Sequence, residues 1–213
     1  LSLATDAGSL PLTWRLYLSK EWAKDRDRRD KAKIPADIGF ATKGAIALTQ
    51  IEAALGRGVP RGVVLADAAY GDEMAFRERR TELELIYAVG GRPGTAVGWG
   101  RHQPAQPPAQ GRGRSRKRLV RDEAHRPISV LDLAKALPPI SYRTVSWREG
   151  VAGKLSSRFA RVRIRAAHRD RLREEEWLLI EWPQGEAEPT RYWFSTLPAD
   201  IAFKGLVATV KAR

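Results

Sequence analysis

With 213 residues, 43% of them apolar, the chain can bury a substantial core, which excludes disorder throughout and fits one large domain or two small ones. Its 38 Lys and Arg against 25 Asp and Glu leave a net charge of +13, and this charge is spread over several segments interleaved with Trp and Tyr, a pattern that favours nucleic acid over an acidic membrane as partner. There is no apolar run long enough to span a bilayer and no leader pattern, so no membrane partner is expected and the cytoplasm is the expected compartment; the absence of Cys excludes disulfides and thiolate zinc sites.

Residues 1–18 predict two short strands joined by a turn at Asp6, Ala7, Gly8 and Ser9. The charged stretch 20–33 predicts a solvated loop or surface helix. From Thr42 to Leu55, Ala45, Ile46, Leu48, Ile51 and Leu55 recur at helical spacing, with Gly56 where a C-terminal cap belongs. Val63 to Ala66 is an uninterrupted apolar run, the pattern of a strand covered on both faces. Asp72 is the expected N-cap of a short helix over 73–80, and residues 84–89 predict the next strand. Gly, Pro and Gln then gather from Gly90 to Arg118, ending in a basic run, and predict a linker. Ser129 to Leu137 suits a helix, and strand signals recur at 141–148, 158–166, 176–182 and 191–195, an antiparallel β module. Residues 199–213 return to helical spacing.

Asp67 follows the apolar strand directly, the place where open α/β sheets bind ligands, and its oxygens suit Mg²⁺ or Mn²⁺. An equally good reading makes it a turn residue that caps backbone N–H groups. The run Arg112, Arg114, Arg116, Lys117 and Arg118 either contacts phosphates or is a solvated basic linker. On the strand over 158–166, alternation places Arg161, Arg163 and Arg165 on one face and Ala160, Val162, Ile164 and Ala166 on the other, giving a positive side and a core side. Trp147, Trp177, Trp182 and Trp193 all fall in the β module, where core packing is the favoured role. Glu149 and Glu181 read as surface or ion-pair residues, and His102, His125 and His168 lack ligand spacing.

Four segments, LATDAGSLPLTWRLYLSKEW (3–22), VVLADAAYGD (63–72), WREGVAGKLSSRFARVRIR (147–165) and EEWLLIEWP with TRYWFSTLP (175–183 and 190–198), in this order resemble one branch of the insertion-sequence transposases of the DDE, RNase H-like superfamily. The resemblance implies an α/β fold: a partial RNase H-like catalytic core over 1–90, a basic Gly/Pro-rich linker over 91–127, a β-rich insertion domain over 128–198 and the start of the returning core helix over 199–213. It implies that Asp67 is the second acid of the catalytic triad and a metal ligand, and that the intact enzyme uses Mg²⁺ or Mn²⁺ to cleave and join DNA at transposon ends and target, with a homodimer admitted. One of the four Trp would then stack on an unpaired base. Asp6 does not match the first acid. Val210 departs from the Tyr of the third acid's signature and Arg213 fits its Arg, so the third acid is expected beyond Arg213. The opening Leu1, with Met74 the only methionine, likewise leads to the expectation that an upstream part is missing. A piece with one of three acids is expected to bind DNA without cutting it. The competing reading is a non-catalytic, basic nucleic-acid-binding protein.

Overall fold

The computed structural model describes residues 1–5, 8–71, 79, 82–100, 104, 119, 123–150, 153–168 and 170–212. The chain divides into two compact units. The first contains residues 1–62 and a segment before Ile86. In it, β1 (Ser2–Thr5) and β2 (Gly8–Pro11) form an antiparallel hairpin, exposed along its length. The charged stretch becomes two short surface helices, α1 (Lys20–Lys24) and α2 (Arg26–Lys31), capped by the side chains of Ser19 and Asp25 and burying no residue. Helix α3 (Lys43–Gly56) starts at Thr42, whose hydroxyl accepts the Ala45 N–H, and buries Ile46 and Ile51. Gly56 is not its cap: Arg57 holds that position, and the left-handed residue is Gly58, at φ +83°. The helix expected over 73–80 lies almost entirely outside the described residues.

The second unit is one sheet of eight strands with helices on both faces. Its strands are β3 (Val64–Ala66), β4 (Tyr87–Gly91), β5 (Ala96–Trp99), β6 (Ile128–Ser129), β7 (Arg143–Gly150), β8 (Gly153–Ala166), β9 (Glu175–Glu181) and β10 (Arg191–Ser195). The order is β3-β4-β10-β9-β8-β5-β6, with β7 also on β8; β3 runs parallel to β4 and the other pairs are antiparallel. A one-turn helix, α4 (Ala68–Gly71), follows β3. Helix α5 (Val130–Ala136) packs Val130, Leu133 and Ala134 with Val89, Ile164, Leu178, Ile180 and Phe194 on one face. Helix α6 (Phe203–Val210) packs Leu206, Val207 and Val210 with Ala88, Phe159, Leu179 and Trp193 on the other. The expected class, a mixed α/β fold with a mostly antiparallel β portion, is the fold observed.

The local expectations are refined. Val64 to Ala66 is packed on both faces, Val64 and Ala66 against one core and Leu65 against the other, but it is half-buried and stands at the end of the sheet, with only β4 paired to it among the described residues. The strand placed at 84–89 begins at Tyr87 and runs into Gly90 and Gly91. Those two glycines, read as the opening of a linker, are strand residues whose missing side chains are filled by neighbours: a Cβ on Gly91 would stand 2.4 Å from the Phe194 ring. Residues 96–99 inside the same stretch are strand as well.

The tyrosine hydroxyls that pack into the sheet are hydrogen-bonded. The Tyr87 hydroxyl donates to the buried Glu176, the Tyr142 hydroxyl to the Ala134 carbonyl and the Tyr192 hydroxyl to the Pro189 carbonyl. Burial first, then Tyr192, with Arg158 opposing, pushes the Tyr142 phenol up to about 12; burial and then Glu188 do the same to Tyr192, also to about 12. Unfolded tyrosine ionises near pH ~10, so the neutral phenols contribute their full stability below that pH and lose it as pH climbs from ~10 through ~12. The stability of the chain should therefore fall across this window, and the fall should shrink in Tyr142→Phe and Tyr192→Phe when melting temperature is followed against pH.

Candidate functional site

Asp67 is the first residue after β3, at the carboxyl end of the parallel pair β3 and β4. It is exposed, and its backbone carbonyl and side chain begin the one-turn helix α4: Oδ1 accepts the Ala69 N–H at 2.9 Å and the carbonyl accepts the Tyr70 N–H at 3.2 Å. The geometry thus contains the turn cap that sequence alone left level with a ligand role, and it also aims a solvent-facing carboxylate off the strand end.

Gly90 fixes where this turn lies. A Cβ added there would stand 2.5 Å from the Ala68 nitrogen and 2.9 Å from the Asp67 carbonyl carbon, both backbone atoms. Only a residue without a side chain lets β4 pass so close. Gly90→Ala must therefore push the Asp67–Ala68 backbone aside, and a destabilisation of about 1–3 kcal/mol is expected in urea unfolding, as for overpacking elsewhere; the same change at Gly98, where a Cβ meets nothing within 4 Å, should cost less.

Across the sheet Gly90 faces Trp193, Trp193 faces Leu179, and Leu179 faces Arg161. Trp193 leads to a second feature that sequence reasoning did not resolve. Lys211, just past α6, reaches Glu181 at 2.6 Å, and its Nζ lies 4.7, 5.5 and 5.0 Å from the ring centres of Trp147, Phe159 and Trp193. Both side chains of the pair are about nine-tenths buried, at 10% and 7% exposure. Glu181 lies two residues beyond Leu179, on the side of the sheet toward which β3 points, so this pair anchors the end of α6 at the same end as Asp67. Glu181 was expected as a surface or ion-pair residue; it is paired but buried, and that burial and its partner, 30 residues away, were not legible.

Desolvation of the two charges is offset by their attraction and by the three rings. Breaking it with Glu181→Ala strands a buried ammonium and should cost about 3–5 kcal/mol, whereas Glu181→Leu together with Lys211→Leu should recover most of that loss. Chemical unfolding of the three proteins measures the difference.

The arginines of β8 are brought together, but they are engaged. Arg161 stacks 4.5 Å from Trp177 and donates to the Ile201 carbonyl; burial first and the Arg143 charge second lower its pKa. Arg163 lies 4.9 Å from Trp177 and donates to the Glu175 carbonyl at 2.9 Å, with Glu175 Oε2 at 3.4 Å from its Nε. Arg165 donates to the carbonyls of Gly100 and Arg173 at 2.9 and 2.6 Å. All three are half-buried. Four strand steps of about 4.8 Å separate Arg161 from Asp67, some 19 Å in all. The side chain of Phe159, on the same face, is fully buried, so the face is core at one end and arginine at the other.

The four Trp of the β module are packed. Trp177 and Trp193 are buried, Trp147 meets Phe159 edge-on at 5.6 Å, and Trp182 meets Tyr142 edge-on at 5.4 Å while donating to the Glu186 carbonyl. Val210, the departure from the expected Tyr, is buried against the sheet. Arg112, Arg114, Arg116, Lys117 and Arg118 lie outside the described residues, as do Asp6 and Arg213.

The description of the DDE superfamily endonucleases matches residues 1–154, a span that includes β3, Asp67 and Gly90. The chain belongs to the DDE superfamily endonuclease family. A nuclease- or transposase-type function follows, with DNA as the substrate that membership implies. No curated protein matches the chain. DDE endonucleases generally use divalent metals. Among the described residues no group of three or more His, Asp or Glu could hold one, and Asp67 offers a single carboxylate with one oxygen already bonded to a backbone N–H. The described residues therefore do not fit a two-cation site by themselves.

Proposed function

We propose that this DDE chain is part of an insertion-sequence transposase, in which Asp67 is the second acid of the triad. The intact enzyme cleaves and joins DNA strands at insertion-sequence ends by phosphoryl transfer that depends on Mg²⁺ or Mn²⁺, acting on transposon ends and target in the bacterial cytoplasm at the nucleoid, as a homodimer. Residues 1–90 and 199–213 then belong to the catalytic core, 91–127 to a basic connection and 128–198 to an inserted β domain. With one acid of three, residues 1–213 bind DNA and do not cut it.

The observation that carries this reading is the exposed carboxylate of Asp67 at the carboxyl end of a parallel strand, held by a backbone contact that only Gly90 permits. The net charge of +13 supports a polyanionic substrate.

A second reading, a nucleic-acid-binding protein without catalysis, draws on the bond from the Ala69 N–H to Asp67 Oδ1, which a turn cap alone explains. Asp67→Asn separates the two. Asn keeps an acceptor oxygen for the cap, so stability should hold within about 0.5 kcal/mol, but it gives up the charge that binds a cation. In a longer protein that adds the flanking sequence on both sides, cation-dependent nicking of an element-end duplex should drop at least about a thousandfold in Asp67→Asn, roughly 4 kcal/mol of barrier. Nicking that survives the substitution excludes the catalytic role, and no nicking from the intact acids favours the binder.

A further inference from the structure

At the other side of the sheet, around β5 and the loop between β8 and β9, lies a shallow surface cleft with an enclosed volume of about 20 Å³. Among its walls are Trp99, His125, Arg165, Arg171, Leu172 and Arg173, and none of the described residues lining it is an Asp or Glu. Trp99 and Leu172 remain 40% and 42% exposed, so an aromatic face and an aliphatic side chain are open to a ligand. The guanidinium of Arg165 is held in place by the Gly100 and Arg173 carbonyls, bonds that fix its plane without neutralising its charge. The loop is shaped by His168, whose Nδ1 accepts the N–H groups of Asp170 and Arg171 at 3.1 Å each, and this sets the exposed Arg171 at the rim. The nearby carboxylates are partly committed elsewhere: Glu175 to Arg163 and Glu123 to Arg126, while Asp170 and Glu174 are exposed on the loop.

The exposed Arg171 and the anchored Arg165 beside an exposed indole make the chemistry of a nucleotide unit held on a surface, with the phosphate on the arginines and the base against the ring. A folded duplex keeps its bases stacked and offers no free face to an exposed ring, whereas a single strand does. We infer that this surface is an anchoring site for single-stranded DNA. Five strand steps separate β5 from β3, roughly 24 Å at the usual spacing, so the site holds DNA away from Asp67 and is not part of the acid's own surroundings. The inference rests on the reading that the chain handles DNA.

The test measures affinity for a labelled oligothymidine and for a blunt duplex of equal length by fluorescence anisotropy, at low and moderate salt, with the whole chain. Trp99→Leu and Arg171→Ala change exposed side chains, and melting temperature checks that both variants fold. Each should weaken oligothymidine binding about tenfold and leave duplex binding within about twofold. Unchanged oligothymidine affinity in both folded variants overturns the anchoring site while the DNA reading stands. Equal losses on both DNAs also overturn it, in favour of a general phosphate contact. If the unsubstituted chain binds neither DNA at low salt, the DNA reading fails together with the site. Should Trp99→Leu not fold, Arg171→Ala alone decides.

Discussion

Strand β4 passes the turn after β3 so closely that a single added carbon at Gly90 would overlap the backbone of Ala68. The constraint is steric, and its consequence is positional: the parallel pairing of β3 with β4 and the missing side chain together hold Asp67 at the strand's end. The acid needs no network of side chains to be placed there. The rest of the unit follows the same frame, since Gly90 faces Trp193, and Trp193 forms one wall of the cage around Lys211 that fastens the end of α6 to β9. A carboxylate and the end of a helix thus meet at one end of one sheet.

Excess positive charge has two fates in this chain. On β8 it is turned inward: Arg161 and Arg163 extend the core by lying on Trp177 and bonding carbonyl oxygens, so their long side chains act as much through packing as through charge. At the β8–β9 loop, around Trp99, it lines a cleft open to solvent. A net charge is therefore a poor guide to where a polyanion binds, and the discriminating feature is whether a guanidinium sits beside an exposed surface or beneath one.

Much of the fold was legible because periodicity reports burial. Helix α3, helix α5 with its Ser129 cap, and strands β7 to β10 stand close to where alternation and spacing place them. Gly90 and Gly91 misled because glycine marks both flexible chain and tight packing, and only the neighbours distinguish the two: a turn backbone for one, the Phe194 ring for the other. The short strand of Val64 to Ala66 packs on both faces, as its apolar run suggests, while its place at the sheet's end depends on partners remote in sequence. At the candidate site, Asp67 was visible from its position after an apolar run. The Lys211–Glu181 pair was not, since neither residue has a local partner and the three rings around the lysine come from three different strands.

On the proposed reading the Asp67 carboxylate binds a divalent cation when the remaining acids of the triad are present. Localised hydroxyl-radical cleavage of the polypeptide reads this out at the turn itself: Fe²⁺ replaces Mg²⁺ in a longer, DNA-bound protein containing residues 1–213, and the positions of backbone scission are mapped by mass spectrometry. Cuts should concentrate at Ala66 to Ala69 and fade when Mg²⁺ is added in excess. Cuts that leave this turn intact and fall elsewhere would contradict that reading.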